Sequence, residues 1–341
     1  MEFVKYSRQE EDKSMSKPLL EIKDLCVWFK VFGGILKVLN KVNIIVWPGE
    51  RVGLVGEMGC GKTTTMKAIM RILPIPPAII PSGEILFKGK DILKMSYAEL
   101  QQIRKKSISM IFEDPTASLN PVFTVGTQLQ DIAKQTTKIG KGKTRKDIKQ
   151  DVIRVLKEVA LPDPERIFRN YPIQLSGGMR QRICIATTLI SDNELMICDE
   201  PGTSLDVTIK DQIYRLLKKL VEERSKSIIL ITHGLGEIKN ITDRVYVMYA
   251  GSIVEVAKTK ELFVHPVHPY SQGLFIATPK LSGGIGKGIP GHIPDYMNPP
   301  IGCRFHPRCK YLMQICREKR PPIYKVSEDH EVACFLFQNR R

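Results

Sequence analysis

No stretch of this 341-residue chain comes near the roughly 20 apolar residues that a membrane helix needs, so a spanning segment is not expected. The N-terminal Met1–Lys17 lacks the apolar core of a signal peptide and is dense in charge instead, so export is not expected either. Acid is in short supply: 36 Asp and Glu face 52 Lys and Arg, a net charge of +16. Such a balance suits nucleic acid, an anionic membrane face or a plainly solvated surface. The clearest basic run, Lys134–Lys149 with Lys138, Lys141, Lys143, Arg145 and Lys146, has no aromatic residue among its cations. It does not resemble a base-stacking surface, and no nucleic-acid partner is expected. Internal repeats are also missing. A chain that is not exported cannot rely on disulfides, which bears on its eight cysteines. Cys26, Cys60, Cys184 and Cys198 are scattered and read as reduced thiols, three of them core. Cys303, Cys309, Cys316 and Cys334 crowd the tail and read as a metal or cluster site, with four structural thiols as the alternative.

What is present is a 43% apolar chain with 26% charge, enough for a sizeable core. Leu19–Phe29 and Val38–Val46 read as strands joined by a turn at Gly33-Gly34. Arg51–Val55 is a short apolar strand that runs into a glycine-rich loop, and a helix follows over about Gly61–Ile72. Pro74, Pro76, Pro77 and Pro81 then break the chain before strands at Glu84–Phe87 and Ser107–Phe112. Thr124–Arg169 is helical, with Val152, Val155, Leu156 and Val159 on one face. Glu194–Cys198, Ser227–Ile231 and Arg244–Met248 are buried-type strands with helices between them. The alternation predicts an α/β fold, a mostly parallel sheet covered by helices and interrupted by a helical insertion. Composition shifts near His265 towards Pro, Gly and Cys. The expected domains are a charged leader over 1–18, a main domain over 19–264 with a helical subdomain at about 113–190, and an extension over 265–341.

Three motifs carry chemistry. Gly56-Glu57-Met58-Gly59-Cys60-Gly61-Lys62-Thr63 fits G-x-x-x-x-G-K-[ST], and Thr64 follows. Small residues let the backbone wrap a phosphate, its N–H groups and the helix start face the negative charge, and Lys62 adds a full positive charge. The Thr63 hydroxyl suits Mg²⁺. A second strand, Leu195–Cys198, ends in Asp199 and Glu200. Asp199 is placed to hold Mg²⁺, and Glu200 to polarise an attacking water. The third motif, Leu175-Ser176-Gly177-Gly178-Met179-Arg180-Gln181-Arg182, opens the apolar helix Ile183–Ile190 and makes a second anion site. Two phosphate-binding helix starts in one chain make sense if the second serves a nucleotide held by another chain.

With these residues in this order, together with Ser204-Leu205-Asp206 and His233, the chain over about 19–260 resembles the ABC ATPases. The resemblance implies a P-loop NTPase fold with a small antiparallel β subdomain and an inserted helical subdomain. It implies ATP and Mg²⁺ as cofactors, and a head-to-tail dimer in which each ATP lies between one phosphate loop and the partner's Ser176, Gly177 and Gly178. It further implies that His233 contacts the γ-phosphate, that Asp206 crosses the dimer interface, and that Phe29, or failing that Trp28, stacks on adenine. Two departures stand out. Glu113 occupies the place of a Mg²⁺-ligating Gln, where it adds negative charge, and Gly234 follows His233 where Asp is usual.

Phe112-Glu113-Asp114-Pro115-Thr116-Ala117-Ser118-Leu119-Asn120-Pro121, His265-Pro266-Val267-His268-Pro269-Tyr270 and Ile301-Gly302-Cys303-Arg304-Phe305-His306-Pro307-Arg308-Cys309 narrow the resemblance to the oligopeptide/dipeptide importer branch. That branch implies a peripheral subunit at the cytoplasmic face of the cell membrane. Its implied partners are a second, paralogous ATPase, two transmembrane permease subunits and an extracytoplasmic solute-binding protein. Peptides are the expected solute, with nickel or oligosaccharides the alternatives. Some members carry an iron–sulfur cluster, and Cys303, Cys309, Cys316 and Cys334 have the thiols for a [4Fe–4S] centre or Zn²⁺, their spacing favouring the cluster. His265, His268 and His306 read as turn and packing residues. A non-transport ABC ATPase and a regulatory nucleotide-binding subunit are the rival classes. A repair-type coiled coil has no room between Lys62 and Ser176, and a second cassette is missing. Because every nucleotide motif lies before residue 240, catalysis is not expected to need a centre held by the tail cysteines.

Overall fold

The computed structural model describes residues 17–135, 142–191, 193–277 and 288–338. The leader ahead of Lys17, and with it Lys138 and Lys141 of the basic run, lies outside them. The described residues form two compact units, one of those within 1–95 and 233–341 and the other of those within 96–232.

In the first unit, β1 (Leu20–Val31) lies between β2 (Gly34–Val46) and β4 (Ala78–Phe87), with β5 (Lys90–Asp91) beyond, in a four-stranded antiparallel sheet. This is the small β subdomain expected from the sequence. The turn is Phe32-Gly33, one residue earlier than expected, and Gly33 takes φ 88°. β4 starts at Ala78, well before the expected Glu84, and runs through Pro81. Pairing with β1 is irregular on that stretch, which lets a residue without an N–H sit inside the sheet. A second sheet contains β3 (Arg51–Val55) parallel to β9 (Arg244–Tyr249). β10 (Ser252–Lys258) adds antiparallel to β9, β12 (His330–Val332) to β10, and β11 (Tyr324–Ser327) to β12.

The last two strands belong to the tail. Across the boundary expected at His265, β10 pairs with β12 of the tail, while within the tail Val267, Val332, Cys334 and Phe337 share one apolar cluster with Tyr324 and Val326 packed on it. Buried His330 bridges two carboxylates, Glu255 at 2.7 Å and Glu261 at 3.1 Å, and so ties β12 to its neighbours.

In the second unit, β6 (Ile108–Ile111), β7 (Leu195–Asp199) and β8 (Ser227–Ile231) are parallel. Both β7 and β8 are buried at every residue, which explains their unbroken apolar runs. Helices at Val125–Gln135, Arg145–Glu158, Pro164–Arg169 and Gly177–Ser191 form the expected insertion. Thr144 and Asp147 make a capping box at the start of the second. The predicted apolar face over Val152, Val155, Leu156 and Val159 is buried as expected. Gly126 lets the first approach the third, because a Cβ there would lie 2.5 Å from the Phe168 ring. Lys143 pairs with Asp151 at 2.5 Å, so part of the basic run is neutralised locally.

Candidate nucleotide site

In the first unit, β3 delivers the chain into the Gly56–Gly61 loop, and the helix Lys62–Ile69 leaves it. Gly61 caps that helix with φ 108°, and a Cβ there would lie 2.7 Å from the Leu39 side chain. The helix is shorter than expected because Arg71 turns to φ 50°. Lys62 is buried, and its ammonium donates to the carbonyls of Gly56 at 2.8 Å and Glu57 at 3.0 Å. A cation held by two neutral carbonyls and the neutral Cys60 thiol at 3.9 Å, inside a loop of backbone N–H groups, suits a phosphate. Cys60 is fully buried beside it, and burial raises its thiol pKa despite the Lys62 charge. Thr63 and Thr64 are half-buried at the helix start, where the Thr63 hydroxyl is the donor type Mg²⁺ takes. His233 is exposed just ahead of the helix Leu235–Ile241.

The aromatic expected on adenine is less well placed. Phe29 pairs with Leu36 and Ala78 inside the β sheet and is half-buried, as is Trp28. Phe32, which the sequence reading passed over, stands fully exposed on the β1–β2 turn. The one-residue shift of the turn puts it there.

In the second unit, β7 ends at Asp199, which is 3% exposed, and Glu200 follows in the left-handed region at φ 49°. A non-glycine residue held there is strained, and such strain clusters at functional sites. The Glu200 N–H donates to the Ile231 carbonyl at 2.9 Å, and Thr203 donates its hydroxyl to the Glu200 carboxylate at 3.0 Å. The side chain is thus oriented and not left to swing. Glu113 is exposed in the loop after β6.

The third motif opens the helix Gly177–Ser191, where exposed Ser176 accepts from the Met179 N–H at 3.3 Å. Gly178 lets the helix Val207–Arg224 come close, since a Cβ there would lie 2.6 Å from Ile209. Asp206 caps that second helix, accepting from Thr208 and Ile209 N–H groups at 3.1 and 3.0 Å. It therefore has a structural task whatever else it does.

The extension departs most from expectation. Tyr296 donates its hydroxyl to the Gly59 carbonyl at 2.7 Å, and Arg304 donates to the Ala250 and Lys37 carbonyls. Arg308 pairs with Glu57. Phe305 packs on Tyr249 at 5.0 Å and Tyr270 at 5.5 Å, ring centre to ring centre. The tail is thus built against the phosphate loop, so it touches a nucleotide motif although it follows every such motif in the sequence. Sequence distance hid this: the partners lie more than 200 positions apart.

Cys303, Cys309, Cys316 and Cys334 line one pocket with Phe305, Met313 and Phe335, so the four tail thiols do converge. Burial pushes Cys303 up to about 12 and Cys334 up to about 11, and neighbouring thiols add to both. Four thiols in one apolar pocket fit a thiolate-ligated centre in kind. Among the described residues, however, no three His, Cys, Asp or Glu side chains stand grouped closely enough to hold a metal ion as they are. His268 is fully buried, its pKa lowered to about 4 by burial, and it packs on Phe305 as a core residue.

The chain is similar to known proteins along most of its length. Residues 39–203 match the family described as ABC transporter, and residues 254–316 match the oligopeptide/dipeptide transporter C-terminal region. The chain is 45% identical over 321 residues to the oligopeptide transport ATP-binding protein OppD of Bacillus subtilis, covering 93% of this chain and 88% of that protein. It is 42% identical over 324 residues to the dipeptide transport ATP-binding protein DppD of the same species, covering 94% and 96%. Among solved structures, cbiO1 of Clostridium perfringens, part of the ABC transporter complex cbiONQ, superposes with a TM-score of 0.60 at 26% identity, over 73% of this chain and 91% of that one. The dimeric ATP-binding cassette MJ0796 bound to ADP and Pi gives 0.63 at 24% identity, over 70% and 98%, a likeness of fold.

Proposed function

We infer the function from descent and chemistry together: this chain belongs to the ATP-binding subunits of ABC transporters, in the oligopeptide/dipeptide branch. It binds and hydrolyses ATP and energises a peptide importer, working with membrane permeases and a substrate-binding protein. No helix among the described residues is long and apolar enough to cross a membrane, and we place the subunit peripherally on the cytoplasmic face of its permeases. The partner ATPase we propose is a paralogue, so that the working pair is a heterodimer.

The roles we propose follow the residues. The Gly56–Gly61 loop and Lys62 bind the phosphates. Thr63 and Asp199, with Glu113, supply oxygen ligands for Mg²⁺, which balances charge on the leaving phosphate. Glu200 orients the attacking water, and His233 contacts the γ-phosphate. Ser176, Gly177 and Gly178 serve the nucleotide held by the partner, and Asp206 faces the dimer interface. Phe32, as the exposed aromatic, joins Phe29 as a candidate for stacking on adenine.

The observation that carries this reading is buried Lys62, held by the loop carbonyls at the head of its helix. The test is Glu200→Gln in the assembled pair. ATP binding should persist, turnover should fall by on the order of a hundredfold or more, and the ATP-bound dimer should outlive that of the wild type. Unchanged turnover would remove Glu200 from its role.

We also propose that the four tail cysteines hold one [4Fe–4S] centre. Its chemistry there would be that of a structural staple, coupling cluster binding to the order of the tail. Their convergence on one pocket supports this reading.

A further inference from the structure

The phosphate loop is gripped by side chains that no nucleotide motif contains. Glu57 follows the first glycine of the loop. Its carboxylate accepts two hydrogen bonds from the Arg308 guanidinium, at 2.7 and 3.0 Å, a fork-to-fork pair. The Glu57 N–H donates to the Tyr270 hydroxyl at 2.8 Å. Arg308 is in turn fixed by the carbonyls of Pro290 at 2.8 Å and Ile289 at 2.9 Å, and its side chain is only 4% exposed. Burial works against its charge, but the bonds to Glu57 and Tyr249 outweigh that and raise its pKa.

We propose that Arg308 is a positioning residue of the ATP site: through Glu57 it holds the phosphate loop in its binding shape and neutralises the one carboxylate the loop contains. The inference rests on the reading of Gly56–Thr63 as the phosphate site. Two physical needs support it. A loop with Gly56, Gly59 and Gly61 has little conformational preference of its own, so its order must come from contacts. Met58 is 78% exposed, and a Cβ on Gly59 would meet nothing within 4 Å. Beyond the Tyr296 hydrogen bond to the Gly59 carbonyl, the tip offers little side-chain packing, so the charged clamp at the loop entry carries much of its shape. An unpaired carboxylate at the loop entry would also repel the phosphates that the loop has to receive.

The charge argument makes the test specific. In the full chain, Arg308→Gln should weaken ATP binding, measured with a fluorescent ATP analogue, by on the order of tenfold, the scale of a lost charge-assisted pair. The KM for ATP should rise accordingly, with kcat changed far less. Adding Glu57→Gln should return affinity to within about threefold of wild type, because the stranded charge is gone and an amide pair can form. Arg308→Lys should fall between. A folded Arg308→Gln protein with wild-type affinity would overturn the proposal. So would a double variant as weak as the single one, since Arg308 would then act through the tail and not through Glu57. If Arg308→Gln does not fold, Arg308→Lys and Glu57→Gln decide the matter: each weakens the fork that holds the loop, so the proposal requires lower affinity in both, and wild-type affinity in either would overturn it. A wild-type chain that binds no ATP would instead sink the reading of the loop itself.

Discussion

Replacing Phe305 by Ala tests whether the tail is part of the cassette or an appendage to it. The ring is 3% exposed and touches Tyr249, Tyr270 and His268, with centroids at 5.0, 5.5 and 5.7 Å. Tyr249 ends β9, so the loss would be felt inside the main sheet. Truncating a buried Phe leaves a cavity and costs about 3–5 kcal/mol, a large share of a typical folding stability of about 5–15 kcal/mol. With a urea slope of roughly 3 kcal/mol per molar, the midpoint of the first unit's transition should fall by about 1–1.7 M. Phe305→Leu keeps most of the volume and loses the edge-to-face contacts, so it should cost only about 1–1.5 kcal/mol. Tryptophan fluorescence and circular dichroism in urea would follow both variants. An Ala variant within about 1 kcal/mol of wild type, or Ala and Leu costing the same, would refute the reasoning.

Other outcomes are equally specific. Glu113→Gln removes negative charge from the proposed Mg²⁺ shell and should lower the KM for ATP or raise turnover; a large loss of ATPase activity would show that the carboxylate is required. Phe32→Ala should raise the KM for ATP several-fold if the turn aromatic stacks on adenine, and an unchanged KM would return that role to Phe29. Protein purified without oxygen should be brown and lose its colour on Cys316→Ser, while one zinc per chain would change the metal and no metal would leave four structural thiols. His330 is buried, which lowers its pKa, but the bonds to Glu255 and Glu261 outweigh this and raise it. Its contribution is full below the unfolded value near 6.5 and fades as pH climbs through the folded one. Glu255, with its pKa lowered, contributes above its ordinary 4.5. The stability difference between wild type and His330→Gln should therefore be largest at about pH 5–6.5 and shrink by pH 9; a difference that grows with pH would contradict the pairing.

The chemistry was legible where it is local. The phosphate loop and the Asp199-Glu200 pair announce themselves because a few adjacent residues set their own geometry, and β3 and β8 fall where their apolar runs predicted. The helix after Lys62 ended early because Arg71 turns the backbone, which no periodicity signals. Pro81 reads as a breaker until irregular pairing with β1 accommodates it. Arg308, Tyr296 and Tyr270 were invisible as loop contacts, since nothing in a tail sequence says which distant backbone it will meet. The same holds for β12, whose three residues are too short to read as a strand but find a ready partner in β10.

That pairing has a practical side. Glu255, Val256 and Ala257 meet Val332, Glu331 and His330, so the chain's closing segment seals the border of the sheet. A minimal cassette trimmed at the compositional shift near His265 would bare that border and strand Glu255 without its histidine. Naked strand borders recruit one another, so such a fragment should clump on expression even with every nucleotide motif intact.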